Sequence, residues 1–264
     1  MDLASLLGIF AGTALIVWGI LGLTQDFNMF IDAPSFLIVV GGSLAATMLS
    51  FSMKDVLGLL RSVIVVFKKE KINLIERVDE IVDLAPIARK SMQQLEQSLG
   101  SVGDPFLRDG LRMTVEGYNK EEIRDILETR IENRALREKS EANVLRTMGK
   151  YSPAFGMIGT LIGLVVMLYG MSQISASGSD PMAVLGAGMG TALITTFYGS
   201  IMANLLFNPM AVKFETRIEK TNSMQMMMIE GVILIHERKH PLIVREKLNS
   251  FLRPRDWKKT EEQQ

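Results

Sequence analysis

The sequence lacks cysteine altogether and contains only two histidines, His236 and His240, in 264 residues. Without cysteine there is no disulfide framework and no thiolate metal site, and two histidines are too few for a histidine-rich metal centre. The 29 basic and 29 acidic residues balance to a net charge of zero, which disfavours a nucleic-acid binder. We therefore expect no metal, no cofactor and no nucleic-acid partner.

Lysine and arginine are also missing from two long stretches, residues 1–53 and 151–212. All 29 of them lie instead in two blocks, Lys54–Lys150 and Lys213–Lys259. A bilayer imposes such a separation, because a charge at mid-membrane costs at least about 2.5–3.5 kcal/mol on insertion scales. The stretches without basic residues hold four apolar segments, each long enough to cross about 30 Å of hydrocarbon as a helix: Leu3–Leu23, Pro34–Met53, Pro153–Ile174 and Met182–Phe207.

The two short connections between these segments, Thr24–Ala33 and Ser175–Pro181, carry only aspartates as charges. By the positive-inside rule they face outward and the two basic blocks face the cytoplasm, as do both termini. A cleaved signal peptide is disfavoured because Met1-Asp2 provides no basic start. The sequence predicts an all-α multi-pass protein of the plasma membrane, with membrane helices in 1–53 and 151–212, a cytoplasmic helical domain in 54–150, and C-terminal cytoplasmic helices and tail in 213–264.

Apolar residues at helical spacing predict several helices in the two charged blocks. The first carries Ile72, Ile75 and Val78 on one face and is expected to stop near Pro86. Asn119 is the expected cap of a long charged helix that runs into the third span. The other predicted helices are Ile87 to Leu99, Phe106–Glu116, Val212 to His236, and a short amphipathic helix after Pro241 that ends at Pro254.

None of the four spans contains Asp, Glu, His, Lys or Arg. Pumps and carriers of ions normally place an ionisable group at mid-membrane, so a partner must supply the titrating carboxylate if this chain moves ions. The last two spans carry threonines and glycines instead. These residues favour either close helix packing with hydroxyls bonded back to the chain, or a path along which hydroxyls bind a cation or order water: Thr160, Thr195, Thr196, Gly156, Gly159, Gly163 and Gly190.

Two prolines stand at the cytoplasmic ends of the last two spans, Pro153 and Pro209. Proline removes one backbone hydrogen bond and loosens or kinks a helix. Each proline is therefore either a simple terminator of its span or a hinge that couples the membrane part to the cytoplasmic part.

Several motifs together resemble the A subunit of the flagellar motor stator, the MotA/PomA family. The third span begins Tyr-Ser-Pro-Ala-Phe-Gly-Met-Ile-Gly-Thr-Leu-Ile-Gly-Leu (151–164), and the fourth contains Gly-Thr-Ala-Leu-Ile-Thr-Thr-Phe-Tyr-Gly (190–199). Further matches are Ala-Arg-Lys…Leu-Glu (88–96), Asp-Pro-Phe-Leu (104–107), Asn-Pro-Met-Ala (208–211) and Glu-Gly-Val-Ile…Pro-Leu-Ile-Val-Arg-Glu-Lys-Leu (230–248). The resemblance extends from the first span to about Phe251.

The resemblance implies a torque generator in a bacterial plasma membrane. Five A subunits would surround two MotB-type single-span subunits, whose membrane aspartate takes up protons or sodium ions. Thr160 and Thr196 would line the ion path, and Pro153 and Pro209 would couple ion passage to cytoplasmic motion. The resemblance leaves the ion open: protons are favoured, whereas Thr160 with Thr195 and Thr196 is also compatible with sodium.

The resemblance further implies that exposed charges of the cytoplasmic loop engage the rotor switch protein FliG. Arg89 and Glu96 match the family's rotor-contacting residues, with Lys90 as a helper. The stretch between Arg89 and Leu95-Glu96 is one residue shorter than the usual family spacing, so a solvated helix face remains the alternative for these charges.

Three other classes compete with the stator. A TolQ/ExbB-type energiser of an outer-membrane system would use similar membrane chemistry but a three-span layout. A structural scaffold would conduct nothing and would need no partner with a membrane aspartate. An enzyme is disfavoured, because the sequence has no phosphate-binding glycine loop at a helix start, no nucleophile elbow and no metal-ligand cluster.

Overall fold

The computed structural model describes residues 3–24, 26–58, 73–173 and 180–257, and the side chains from residue 7 onward. Regular structure in these residues is helical throughout, which confirms the predicted all-α class. Ile72, Ile174, Ser175 and the tail 260–264 lie outside the described residues. The helices are α1 (Leu3–Leu23), α2 (Ala33–Phe36), α3 (Gly42–Ser50), α4 (Leu74–Lys90), α5 (Met92–Ser98), α6 (Pro105–Glu116), α7 (Lys120–Ser172), α8 (Pro181–Ile201), α9 (Asn208–His236) and α10 (Pro241–Asn249).

Two segments of π-helix interrupt the apolar helices. Leu37–Gly41 joins α2 to α3, and Met202–Phe207 joins α8 to α9. A π turn inserts one extra residue into the helical ladder, and such turns occur mostly at functional sites. Both segments therefore mark places where the helix geometry was adjusted without breaking the helix.

The chain divides into two compact units, and one of them is apolar outside. This unit comprises Met1–Glu70 and Lys139–Glu215. Its large apolar side chains point outward: Phe10 is 75% exposed, Trp18 is 74% exposed and Leu193 is 65% exposed. An apolar exterior on this scale suits hydrocarbon rather than water as the solvent.

Three helical stretches among the described residues are long and apolar enough to cross a membrane: Phe27–Ser50, Lys120–Ser172 and Pro181–His236. These stretches include the predicted fourth span and most of the predicted second and third spans, although the helix of the second span ends at Ser50 rather than at Met53. The described side chains of α1 give a shorter apolar helix, Leu7–Leu23. The apolar helices agree with a membrane location, and the total of four spans stays a prediction.

The second unit, Lys71–Glu138 and Thr216–Gln264, has the conventional arrangement of an apolar core inside a charged surface. Helices α4, α5, α6 and α10 enclose this core together with the parts of α7 and α9 that belong to the unit. The largest side chains that are buried at its centre are Ile81, Leu95, Leu107, Leu111, Ile123, Leu127, Met227, Met228, Ile229 and Ile235.

The start of α7 confirms the predicted cap. The side chain of Asn119 accepts a hydrogen bond of 2.8 Å from the Glu122 N–H, and the Asn119 N–H donates to the Glu122 carboxylate at 3.1 Å. This reciprocal pair is a capping box, which satisfies two backbone donors that the first turn of a helix leaves free.

The first helix of the second unit, α4, passes through Pro86 instead of stopping there. Pro86 is exposed, and α4 continues to Lys90. The break comes at Ser91, whose extended backbone and side-chain oxygen cap the start of α5. An exposed proline removes one hydrogen bond without disturbing the packed face of the helix, so the buried face decided where α4 ends.

Candidate ion pathway beside the last two spans

Helices α7 and α8 lie backbone against backbone in the membrane unit because glycines face each other's helix. A Cβ atom added at Gly156 would lie 3.0 Å from the Thr195 carbonyl oxygen, and one at Gly163 would lie 2.9 Å from the Ala192 nitrogen. A Cβ at Gly199 would lie 2.6 Å from the Ser152 carbonyl oxygen. Backbone atoms cannot rotate away as a side chain can, so these positions hold the two helices at their closest distance.

Two other glycines of this set differ in what they face. A Cβ at Gly159 would lie 2.5 Å from Cγ2 of Thr195, so Gly159 makes room for a threonine rather than for backbone. A Cβ at Gly190 would meet no described atom within 4 Å. Within this chain Gly190 therefore does not share the expected packing surface. Gly188, two residues earlier, does face α7, at the side chain of Met167.

The hydroxyls of Thr160 and Thr196 form a pair where the two helices meet. Their Oγ1 atoms are 2.6 Å apart. Thr160 also donates toward the carbonyl oxygens of Gly156 at 3.1 Å and Ala192 at 3.2 Å. Thr160 is half-buried and Thr196 is exposed. The pair therefore presents hydroxyl oxygens on an apolar helix surface that this chain leaves open.

Thr195 points away from this pair. Its side chain is fully buried, and its hydroxyl bonds back to the carbonyl oxygens of Ala192 at 2.8 Å and Thr191 at 3.2 Å. Successive residues of a helix are about 100° apart around the axis, so Thr195 and Thr196 cannot both face the same side. The structure brings together two of the three predicted hydroxyls and uses the third for packing.

A second set of buried hydroxyls lies between α3 and α7, and the sequence analysis did not single it out. Ser43, Thr47 and Ser152 are almost completely buried. Each bonds back to a carbonyl four residues earlier, and the Ser43 and Ser152 oxygens are 3.4 Å apart. The i,i+4 spacing of Ser43 and Thr47 in an apolar helix was the available signal. Ser152 precedes Pro153 directly, so this contact fixes α3 beside that proline.

The hydroxyl of Tyr198 ties α8 to the start of the second span. It donates to the Phe30 carbonyl at 2.5 Å and accepts from the Asp32 N–H at 3.1 Å. The Asp32 carboxylate in turn accepts the N–H of Ser35 at 2.9 Å, which caps α2. These bonds position the turn of α8 that carries Thr196.

The predicted spans hold no Asp, Glu, His, Lys or Arg. Among the described residues, no group of three or more His, Asp and Glu could hold a metal ion. The Thr160–Thr196 pair thus supplies neutral oxygens only. Two hydroxyls can order water or provide part of a cation's shell, but they cannot take up and release a proton across the physiological pH range. A charged or titrating group must come from elsewhere.

In the same unit, an ion pair joins α7 to α9. Arg146 donates from Nε to Glu215 Oε1 at 2.9 Å and from Nη2 to Oε2 at 2.5 Å. Because both hydrogen bonds go from Arg146 to the Glu215 carboxylate and favour the charged guanidinium, they raise the pKa of Arg146. The pair is a planar fork, which fixes orientation as well as distance.

Both predicted hinge prolines lie inside long helical stretches. Pro153 interrupts nothing in the 53-residue helix α7, and its Cα lies 3.1 Å from where a Cβ of Gly199 would stand. Pro209 is the second residue after the π turn Met202–Phe207. Between them, the N–H of Asn208 donates to the Ala203 carbonyl, five residues back. The Asn208 side chain lies against Gly149, the residue whose carbonyl loses its helical donor because of Pro153. The two proline turns are therefore in contact.

The three predicted rotor-contacting residues lie on either side of the break between α4 and α5 in the second unit. Arg89 and Lys90 form the last turn of α4, and Glu96 lies on α5 after the cap at Ser91. All three are exposed, while Ala88 and Leu95 beside them are buried. The buried neighbours fix the helices, and the charged side chains project into solvent.

Comparison with known proteins identifies the family of the chain. A family model described as the MotA/TolQ/ExbB proton channel family matches residues 99–227. Motility protein A of Borreliella burgdorferi is 35% identical and covers 97% of this chain and 96% of its own length. YtxD of Bacillus subtilis, a protein without an assigned function, is 34% identical over 99% of this chain and 94% of its own length.

A solved structure is similar over the whole chain. The structure of C. jejuni MotAB superposes with a TM-score of 0.89 at 27% identity, covering 99% of this chain and 100% of the other. Similarity at this level, over full lengths, confirms the resemblance that the motifs indicated. The chain belongs to the motility protein A subunits of the flagellar stator, within the MotA/TolQ/ExbB proton channel family.

Proposed function

We propose that this chain is the ion-conducting stator subunit of a bacterial flagellar motor. The observation that carries the proposal is the Thr160–Thr196 pair: two hydroxyls 2.6 Å apart, on an open apolar surface, in spans without Asp, Glu, His, Lys or Arg. A surface of this kind can pass an ion only together with a group from another chain. It is one half of a site.

The other half is the membrane aspartate of a MotB-type single-span subunit. The similar solved structures are titled as MotAB complexes, one of C. jejuni and one of Bacillus subtilis. We propose that the chain assembles with such a partner as five copies around two partner subunits, as the family resemblance implies. The complex would lie in the cytoplasmic membrane, with both termini of this chain in the cytoplasm. The aspartate takes the ion, and the threonine hydroxyls hold it or its water as it passes inward.

The available energy fits a mechanical step. An elementary charge that crosses the membrane gains about 2.3 kcal/mol per 100 mV from the electrical potential alone. A few kcal/mol per ion biases a two-state element, and at 100 mV about two to three ions together supply the ~5.5 kcal/mol that takes such an element from 1:99 to 99:1. Pro153 and Pro209, in contact through the Asn208–Gly149 pair, transmit that shift to the cytoplasmic helices.

The shift reaches the rotor through exposed charges. Arg89, Lys90 and Glu96 are exposed on either side of the break between α4 and α5, which suits contact with the switch protein FliG. Charged pairs across such a contact set its register and speed of association more than its affinity. The spacing between Arg89 and Glu96 is one residue shorter than is usual in the family, so charge reversal at each of these residues tests the contact directly.

The proposal takes protons as the ion, with sodium as the alternative. The Thr195 hydroxyl bonds to its own helix, so it does not add a third ligand to the pair. Two hydroxyls suit the ordering of water for proton transfer better than a complete sodium shell. A TolQ/ExbB-type energiser is less favoured, because the full-length similarity is to motility protein A.

The test is rescue of swimming in a flagellated host that lacks its stator. The chain is expressed with its own single-span partner, and external pH and sodium are varied separately. Swimming speed that follows the proton gradient and ignores sodium supports a proton-driven stator, whereas dependence on sodium would replace the proton. A stable membrane complex that conducts ions but gives no rotation, in a host whose rotor accepts related stators, would overturn the motor assignment in favour of an energiser.

A further inference from the structure

We propose that Gly12 of α1 is a positioning residue for the Pro209 turn, through the side chain of Leu205. This inference rests on the proposed function, because it concerns how ion passage reaches the cytoplasmic helices. It assigns a role in coupling to the first helix of the chain, which carries no hydroxyl of the ion pathway and no ionisable residue.

The argument begins with the backbone before Pro209. Proline has no N–H, so the carbonyl of the residue four positions earlier, Leu205, loses its usual helical donor. The structure answers this loss with the π turn Met202–Phe207, in which the Asn208 N–H reaches back five residues to Ala203. Leu205 thus lies inside the turn that would move if the helix changed between α and π geometry.

The side chain of Leu205 lies on Gly12. A Cβ added at Gly12 would be 2.6 Å from Cδ1 of Leu205 and 3.8 Å from its Cγ. No other residue type leaves this space free, since every other residue has a Cβ. The glycine therefore accepts the tip of Leu205 and lets the π turn lie directly against α1.

This contact stands out on an otherwise exposed helix. From residue 7 onward, Ile20 is the buried side chain of α1, whereas Phe10, Leu15 and Trp18 are largely exposed. A Cβ at Gly8, Gly19 or Gly22 would meet no described atom within 4 Å. The glycines of α1 are thus not interchangeable, and Gly12 is the one that receives a side chain from α8–α9.

The consequence for coupling follows from close packing. Leu205 can change position with the π turn only as far as the surface at Gly12 permits, because packed side chains move between discrete arrangements rather than continuously. A bulky residue at position 12 would push Leu205 outward and bias the turn toward one geometry. Ion passage would continue, but less of the movement would reach the cytoplasmic helices.

The experiment compares Gly12→Leu with Gly8→Leu and Gly19→Leu, which add the same side chain to the same helix where space is open. Gly12→Ala is the milder variant, because the far end of a leucine side chain can rotate away from a single methyl group. Each variant is produced with the single-span partner. Membrane abundance, inward ion flux in vesicles and torque of tethered cells are measured for all of them.

We expect Gly12→Leu to lower torque about fivefold at normal abundance, while ion flux changes much less. A fivefold change in the ratio of two conformations corresponds to only a small free-energy bias between them. Gly12→Ala should give a smaller loss, and Gly8→Leu and Gly19→Leu should match the unmodified protein. Adding Leu205→Ala to Gly12→Leu should restore torque, since it removes the atoms that clash.

Equal torque in Gly12→Leu and the two control variants would overturn the inference. So would a failure of Leu205→Ala to restore torque at normal abundance. If Gly12→Leu does not accumulate in the membrane, Gly12→Ala is used instead, and torque equal to that of the unmodified protein would overturn the inference. Failure of the proposed function is distinguishable, because the unmodified complex itself would then give no torque, with or without ion flux.

Discussion

At the scale of single residues, the facing glycines of α7 and α8 are as important as the hydroxyls. The Thr160–Thr196 distance of 2.6 Å exists because the two backbones approach closely at Gly156 and Gly163. A hydroxyl pair of this kind needs its carriers fixed to within a few tenths of an ångström. The glycines therefore support the proposed ion pathway, because the helix spacing that they allow brings the two hydroxyls together.

Gly163→Ala should destabilise the complex by about 1–3 kcal/mol, the usual cost of overpacking. The new methyl group would lie 2.9 Å from the Ala192 nitrogen, and backbone cannot rotate away. Gly190→Ala is the matched control in the neighbouring span, because its methyl group meets open space within this chain. Thermal unfolding of the two variants measures the difference. An equal effect at both positions would show that α7 and α8 are not in this contact.

The sequence predicted this site in part. The motif spacing identified Thr160 and Thr196, and the structure places them together. The sequence could not show whether the Thr195 hydroxyl joins this pair. Neighbouring residues in a helix point in different directions, and nothing in the sequence tells which of two adjacent threonines faces the partner helix. The same ambiguity applies to Gly188 and Gly190, of which only the first faces α7.

At the scale of helices, three prolines lie inside helices that they were expected to end or to divide. Pro86, Pro153 and Pro209 all lie within continuous helical stretches. Sequence rules treat proline as a stop because it costs about 3 kcal/mol inside a helix. That cost is offset where a helix is held on a buried face or by a neighbouring span, and such tertiary contacts are invisible in a single sequence.

Pro153→Ala should raise the thermal stability of the complex and abolish most of its torque. Alanine restores the N–H that can donate to the Gly149 carbonyl, so the helix gains a hydrogen bond and loses its hinge. Pro105→Ala is the control, because a proline in the first turn of α6 interrupts no helical hydrogen bond. Unfolding temperature and tethered-cell torque are the measurements. Full torque in Pro153→Ala would mean that this proline is not a hinge.

In the second unit, ion pairs join α7 to α9 and to Glu237, the residue that directly follows α9. Lys120 lies 3.2 Å from Glu237, and Arg124 lies 3.2 Å from Glu230. The hydrogen bond from Lys120, with a further contribution from Lys239, lowers the pKa of Glu237. A carboxyl whose folded pKa is lowered stabilises the fold above its ordinary pKa and loses that contribution as the pH falls through the lowered value.

Glu237→Gln should therefore lower the unfolding temperature at pH 7 and have no effect in acid. The pair is largely solvent-exposed, so the expected shift is only about 1–2 °C. Glu116→Gln removes an exposed carboxylate for which no ion pair is seen in the described part of the chain, and serves as the control. The unfolding temperature of both variants is followed from pH 7 to pH 3. A difference that grows toward acid would contradict the lowered pKa.

At the scale of the whole molecule, ion passage and rotor contact are assigned to different compact units. The hydroxyl pair lies in Met1–Glu70 with Lys139–Glu215, whereas Arg89, Lys90 and Glu96 lie in the other unit. Helices α7 and α9 contribute residues to both units. Charge changes at the proposed rotor surface should therefore affect torque separately from conduction.

Arg89→Glu and Glu96→Lys should each lower torque several-fold and leave ion flux unchanged, since a reversed charge disturbs steering and register at the rotor. Arg253→Glu, an exposed charge reversal elsewhere in the same unit, is the control. Torque is measured in tethered cells and flux in vesicles that contain the complex with its partner. A parallel fall in flux would mean that these charges act on the channel.

The most direct measurement of the central claim is ion flux through the complex with its single-span partner after Thr160→Ala or Thr196→Ala. Thr13→Ala is the control, because the Thr13 hydroxyl bonds back to Ile9 at 2.8 Å on α1. We expect each pathway variant to assemble normally and to conduct about tenfold less, the loss expected for one hydrogen bond to a charged group. Thr195→Ala should change flux much less. Normal flux in both Thr160→Ala and Thr196→Ala would contradict the account.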